Sequence, residues 1–220
     1  MNDTRTLKDT LYGQVARLGK AMSSPKRLEL LELLCQGEKP VELLAEQASI
    51  SVKLASAHLK ELRIARLVDV RPDGQRRLYR LSAPDVAAFW VTSRTLAESR
   101  LTELQVAMQS LLATPDELMP FTGASLLAQA ERGEVLVLDV RPTQEYDTSH
   151  LPFAQSMPLA DLKRRLAELP ADRPIVAYCR GPFCLMALDA VALLREHGRE
   201  AFRLDDGVAE WRAKGLPLAG

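Results

Sequence analysis

The stretch Tyr178-Cys179-Arg180-Gly181-Pro182-Phe183-Cys184-Leu185 constrains this chain more than any other. The apolar run Ile175-Val176-Ala177 precedes it, and Ala187, Leu188, Val191, Ala192 and Leu194 recur at helical spacing after it. A thiol therefore sits where a buried strand hands over to a helix. The first N–H groups of a helix have no partner within it and carry the positive end of its dipole. That position favours a thiolate on Cys179, and favours any anionic group that the thiolate carries or attacks. Arg180 adds a full positive charge next door. Cys184 lies five residues further along a curled loop, so its sulfur can approach that of Cys179. It reads either as a resolving thiol or as a small residue in the first turn of the helix.

The residues around the loop predict its setting. Val135 to Arg141 reads as a buried strand ending in polar residues, and Leu159 to about Leu169 as a helix. Ala201 to Leu204 reads as a further strand. Strands alternating with helices predict a mainly parallel sheet covered on both faces. Three cysteines in 220 residues are too few for a disulfide framework, and Cys35, among Leu33 and Leu34, reads as a buried helical thiol. No apolar run approaches the roughly 18 residues of a membrane span. The polar start Met1-Asn2-Asp3-Thr4 is unlike a signal peptide, so the expected compartment is the cytoplasm.

The formal net charge of zero hides an asymmetry. Residues 1–113 hold 17 Lys and Arg against 13 Asp and Glu, and residues 114–220 hold 12 against 16. Eight basic side chains fall within residues 51–80 alone, which suggests a local nucleic-acid footprint. The pattern around them agrees. Leu7, Leu11, Val15, Leu18 and Met22 form one amphipathic helix, and Ser24-Pro25 opens a second that Gly37 ends. A short third helix runs from Val41 to about Gln47. Ser51 caps a fourth, with Leu54, Ala55, Leu59 and Leu62 on its apolar side and Lys53, Ser56, His58, Lys60 and Arg63 largely elsewhere. Two β-like runs, Leu67 to Val70 and Arg77 to Leu81, then flank Asp73-Gly74, a hairpin signal. Arg71, Arg76 and Arg77 near the hairpin tip are placed to reach phosphates or a minor groove. Ser82-Ala83-Pro84 opens a helix expected to run unbroken to about Ala113, with Val86, Phe89, Trp90, Leu96, Ala97, Leu101 and Leu104 along one stripe. At about 45 Å it exceeds what a small domain can cover, so it is expected, along with the first helix, to pair with its twin in a homodimer.

On Ser24-Pro25-Lys26-Arg27-Leu28, Ser56-Ala57-His58-Leu59-Lys60-Glu61-Leu62 and Leu67-Val68, the first half resembles the ArsR-like winged-helix repressors. The resemblance implies a homodimer on palindromic double-stranded operator DNA, with Lys53, Ser56, His58 and Lys60 facing the major groove. Many members bind metal or arsenic through a cysteine pair on the third helix. Here that segment reads Lys39-Pro40-Val41-Glu42-Leu43-Leu44, which argues against that metal site. The second half is similar to a rhodanese domain on Leu138-Asp139-Val140-Arg141, Glu145-Tyr146, His150-Leu151-Pro152, Tyr178-Cys179-Arg180-Gly181, Gly207, Trp211 and Gly215-Leu216-Pro217. The resemblance implies that Cys179 takes sulfane sulfur from a donor as a persulfide and passes it to a thiol acceptor. It also implies that Asp139 and Arg141 position the site.

Phosphatases and cysteine-based arsenate reductases share the strand-Cys-loop-helix plan, but they need an Arg six positions after the Cys to grip a tetrahedral oxyanion. Here Leu185 stands there. Pro182 and Phe183 make the loop stiffer and less polar than a common rhodanese loop, which argues against efficient thiosulfate turnover.

The expected architecture is thus an α+β winged helix-turn-helix domain at 1–113, a linker at 114–120 and an α/β rhodanese-like domain at 121–220. No cofactor, resident metal or membrane partner is expected. The expected function is a DNA-binding regulator, read as a repressor, that senses or handles reactive sulfur at Cys179. Two other readings stand beside it: a sulfurtransferase tethered to a DNA-binding dimer, and a thiol redox switch between Cys179 and Cys184.

Overall fold

The computed structural model describes residues 2–111 and 123–220 and divides into two compact units, Met1–Trp90 and Val91–Gly220. The expected linker at 114–120 lies outside the described residues, as do Phe121 and the expected end of the long helix near Ala113.

The first unit opens with α1 (Asn2–Met22) and α2 (Pro25–Cys35), the latter with Pro25 in its first turn. Ser24 precedes α2 in extended backbone, without the side-chain capping bond that its identity suggests. A two-residue strand β1 (Lys39–Pro40), not foreseen from sequence, leads into α3 (Val41–Gln47). Next comes α4 (Val52–Ile64), which Ser51 caps by accepting the Leu54 N–H at 3.2 Å. The hairpin is β2 (Val68–Asp73) and β3 (Arg76–Leu81), paired from Val68–Leu81 to Asp73–Arg76. Its turn needs the left-handed backbone that Gly74 supplies (φ 58°). β1 joins the outer edge of β3, giving the order β1-β3-β2. Leu30, Leu44, Ala55, Leu59, Leu62 and Val68 form the heart of this core, each fully buried.

Two expectations change, at Leu54 and along the long helix. Leu54 is exposed and leaves the core of α4 to Ala55, Leu59 and Leu62. On α1, Leu18 and Met22 pack against the core while Leu7, Leu11 and Val15 stay exposed. The long helix is broken: α5 (Pro84–Arg100) ends at Leu101, whose extended backbone (φ −102°, ψ 105°) starts α6 (Thr102–Ser110). No Gly or Pro signals the break in sequence. The Gln105 side chain donates to the Glu98 carbonyl at 2.8 Å, satisfying an acceptor that the helix end leaves open. The buried stripe of α5 is Val86, Ala87, Trp90, Val91 and Arg94, and Phe89 and Leu96 face outwards.

In the second unit, α7 (Gly123–Glu131) is followed by β4 (Leu136–Asp139), α8 (Thr143–Thr148), β5 (Ala154–Ser156) and α9 (Leu159–Arg165). Then come β6 (Ile175–Tyr178), α10 (Met186–Glu196), β7 (Ala201–Arg203) and α11 (Val208–Ala213). The four strands are all parallel, in the order β5-β4-β6-β7. The central strands are apolar nearly throughout because separate clusters pack against them, one around Ala187, Ala190 and Leu194, the other around Trp211, Leu126 and Val208.

A buried polar cluster ties the strand ends together. Asp139 and Arg141, both fully buried, pair at 2.6 Å, and Arg141 donates a second bond to the Ser149 carbonyl at 2.8 Å. The Tyr178 hydroxyl donates to Asp139 at 2.5 Å and accepts the Leu151 N–H at 3.1 Å. Burial opposes the charge on Arg141, but its bonds to Asp139 and the opposite charge outweigh burial and raise its pKa. Removing one partner strands the other. Asp139→Ala is therefore expected to cost about 3–5 kcal/mol, read as a lower urea midpoint of the second unit. Combining it with Arg141→Met should recover part of the loss; an Asp139→Ala loss no larger than that of a surface substitution would contradict this account.

Candidate functional site

The loop between β6 and α10 is built around two sulfurs. Cys179 is 2 % exposed and Cys184 9 %, and the Cys179 thiol is a hydrogen-bond partner of the Cys184 sulfur. The loop curls because the Cys184 N–H donates to the Gly181 carbonyl at 3.1 Å, and Gly181 adopts φ 150°, which disfavours any other residue. The Cys179 sulfur also lies 3.4 Å from the Cys184 carbonyl. Arg203, from the end of β7, holds the loop by donating to the Pro182 carbonyl at 2.5 Å.

The electrostatics separate the two thiols. The hydrogen bond from Cys179 is the largest influence on Cys184; the Arg180 and Met186 N–H groups and the Arg180 charge add to it. Together they outweigh burial and push the Cys184 thiol down to about 6. Burial, then the hydrogen bond and charge of Cys184, push Cys179 up. The same contact that favours charge on Cys184 disfavours it on Cys179. The cation beside them is fixed: Arg180 pairs with buried Glu145 at 2.8 Å, and this pairing more than offsets the opposition of burial to its charge. Leu185, where an oxyanion-gripping Arg would stand, is 51 % exposed. Such a loop can hold a thiolate, stabilise an anionic leaving sulfur and bring a second thiol to the first.

Asp139 and Arg141 lie in the strand-end cluster described above, and their partners include Ser149, Tyr178 and each other. Glu145 was legible as part of a motif but not as the partner of Arg180, because 35 residues separate them and only the fold brings them together. Glu210 and Arg94 were missed as neighbours of the loop. The signal for Arg94 was a cation at a position of the α5 stripe otherwise taken by Val86, Ala87, Trp90 and Val91. Cys35 is buried in α2. Among the described residues no cluster of His, Cys, Asp and Glu is arranged to hold a metal ion.

The basic residues of the first unit gather on α4 and the hairpin. Ser51, Lys53, Ser56, Lys60 and Arg63 are exposed and His58 is half-buried. Ser56, Lys60, Arg63 and Arg77 line one groove of about 680 Å³, floored in part by Tyr79. Arg76 and Arg77 are exposed at the hairpin tip. Arg71 differs from the others: it forms a two-pronged pair with Glu38, at 2.6 and 2.9 Å, and lies 3.5 Å from Asp73. The bonds to Glu38 raise its pKa. Arg71 thus fastens the hairpin to the segment before β1.

Comparison with known proteins agrees with both halves. Residues 24–70 match the model of the bacterial regulatory protein, arsR family, and residues 122–214 that of the rhodanese-like domain. The HTH-type transcriptional regulator Rv0324 of Mycobacterium tuberculosis is 46% identical over 211 residues, covering 96% of this chain and 92% of that protein. A sulfurtransferase of Allochromatium vinosum is 30% identical over 89 residues, covering 40% of this chain and 82% of its own. A homodimeric winged helix-turn-helix DNA-binding domain from Mycobacterium bovis aligns with a TM-score of 0.41 and 38% identity, covering 44% of this chain and 89% of that one. With a regulator matched along almost its whole length and the two domain signatures in this order, the chain belongs to the ArsR family of transcriptional regulators, in a form that carries a C-terminal rhodanese-like domain.

Proposed function

We propose that this regulator binds operator DNA as a homodimer and that its rhodanese domain senses reactive sulfur at Cys179. The observation that carries the reading is the loop geometry: two buried cysteines on one curled turn, the Cys179 sulfur 3.4 Å from the Cys184 carbonyl, with the Arg180–Glu145 ion pair beside them. Dimerisation is supported by the apolar residues left exposed on α1 (Leu7, Leu11, Val15) and, in the other unit, on α5 (Leu96), at the break after it (Leu101) and on α6 (Val106).

The sulfur chemistry balances with these groups alone plus a hydropersulfide donor, RS–SH. Cys184, as thiolate, takes the proton of Cys179 while the Cys179 sulfur attacks the outer sulfur of the donor. The donor S–S bond breaks, RS⁻ leaves and takes a proton from Cys184, and Cys179–S–SH remains. Cys184 is again a thiolate. It then attacks the inner sulfur of that persulfide, expelling HS⁻ and closing a Cys179–Cys184 disulfide. The two thiols are oxidised by two electrons, and the sulfane sulfur leaves reduced to sulfide.

The tethered-enzyme reading requires many turnovers, and a redox switch requires no sulfide. Stoichiometry separates them: hydropersulfide treatment should release one sulfide per 179–184 disulfide found by peptide mass spectrometry. The uptake rate should rise as pH passes about 6, where Cys184 loses its proton. Cys184→Ser should abolish both the disulfide and that rise. Catalytic release of sulfide, or a disulfide formed without it, would sink the sensing chemistry.

On the DNA side, exposed Lys60 borders the groove shared by α4 and the hairpin. If it neutralises a phosphate, Lys60→Ala should weaken binding to all sequences alike and reduce the slope of log affinity against log salt by about 1. An unchanged slope in a fluorescence-anisotropy salt titration would remove Lys60 from the interface.

A further inference from the structure

The ion pair between Arg94 and Glu210 connects α5 to the sulfur loop within the second unit. The pair measures 2.8 Å, and both side chains are 3 % exposed. Arg94 also donates to Glu98 at 2.9 Å, one turn along α5. The other oxygen of Glu210 accepts the Gly207 N–H at 2.7 Å, closing the first turn of α11.

Each of these groups presses on the loop backbone. A Cβ on Gly207 would lie 2.6 Å from the Arg180 carbonyl oxygen and 2.7 Å from that of Cys179, so only glycine fits against that peptide. A Cβ on Gly181 would lie 3.2 Å both from the Arg94 guanidinium and from the Glu210 carboxylate. The Arg94 guanidinium carbon sits 5.6 Å from the centre of the Phe183 ring. The loop thus rests on the ion pair at Gly181 and Phe183 and on Gly207 at Cys179–Arg180.

We propose that the Arg94–Glu210 pair is the relay by which sulfur bound at Cys179 acts on α5. Cys179 is packed among Ala177, Cys184 and Ala187, and a second sulfur atom on it must displace the loop, because cores are close-packed. Closing the Cys179–Cys184 disulfide likewise pulls in the stretch that carries Gly181, Pro182 and Phe183. Either change moves the backbone lying against Arg94, and a buried ion pair tolerates little displacement before its partners are uncompensated. Arg94 is therefore a positioning residue that couples the loop to α5. That helix begins in the first unit, where Val86 packs in the core. The proposal rests on sulfur sensing at Cys179 and names its route.

The test compares the full-length wild type, Arg94→Lys, and the double variant Arg94→Met with Glu210→Gln, which replaces the charges while keeping volume and leaves an acceptor for Gly207. Each is treated with inorganic polysulfide. Uptake at Cys179, as its persulfide or as the 179–184 disulfide that follows, is read by peptide mass spectrometry, and affinity for the DNA upstream of its own gene is read at fixed salt. For the wild type, treatment should change affinity by the factor usual for allosteric coupling, about 5- to 150-fold. The double variant should take up sulfur and bind DNA untreated as the wild type does, but show no change on treatment. Arg94→Lys should keep part of the response, because a single ammonium reaches Glu210 without the fork that also holds Glu98.

A double variant that responds like the wild type overturns the relay, and so does one that no longer takes up sulfur. A wild type that carries sulfur with unchanged affinity instead removes the sensing reading, and the relay with it. The wild-type and variant arms thus separate the two failures.

Discussion

A thiolate survives inside a protein only when something other than water solvates it, and that requirement organises the C-terminal half of this chain. Here the solvation comes from the Cys179 thiol, the N–H groups at the start of α10 and the Arg180 guanidinium. Each in turn needs support. Arg180 is held by Glu145 on α8, the loop carbonyl of Pro182 by Arg203 on β7, and the Cys179–Arg180 peptide is packed against Gly207 before α11. Three elements distant in sequence thus converge on a loop of a few residues. The parallel sheet makes this feasible, because its strand ends deliver all of these segments to one edge.

Under the proposed sensing, the same requirement ties sulfur chemistry to regulation. A persulfide or disulfide redistributes charge and volume in a site that has little room for either. The strain is carried by whatever touches the loop, and Arg94 of α5 is among those contacts. A ligand can shift a conformational equilibrium only through its different affinities for the two states. A buried, close-packed thiol pair supplies that difference more readily than an exposed one. The first unit carries a basic surface on α4 and a hairpin fastened by Arg71 to Glu38.

Much of this was legible in the sequence because it is encoded locally. Ser51 before an apolar pattern gave the start of α4, Asp73-Gly74 gave the hairpin, and Ile175-Val176-Ala177 followed by Cys179 gave the strand and loop. What escaped was set by tertiary contacts. The break at Leu101 has no local signal and is stabilised by a side-chain bond from Gln105. The outward turn of Leu54 cannot be told from a core position by periodicity alone, since an apolar stripe marks a face without saying what covers it. β1 is two residues long, below what any pattern resolves. At the site, both cysteines and Arg180 could be read from one segment, whereas Glu145 reaches it from 35 residues away, Arg203 from 21, and Glu210 and Arg94 also come from outside that segment.

The most direct measurement is the affinity of the reduced protein for the DNA upstream of its own gene, before and after polysulfide, with Cys179→Ser alongside and salt held constant. The account expects treatment to change the wild-type affinity and to leave Cys179→Ser unmoved. A wild type whose affinity stays the same while mass spectrometry finds the Cys179 persulfide or the 179–184 disulfide would contradict it.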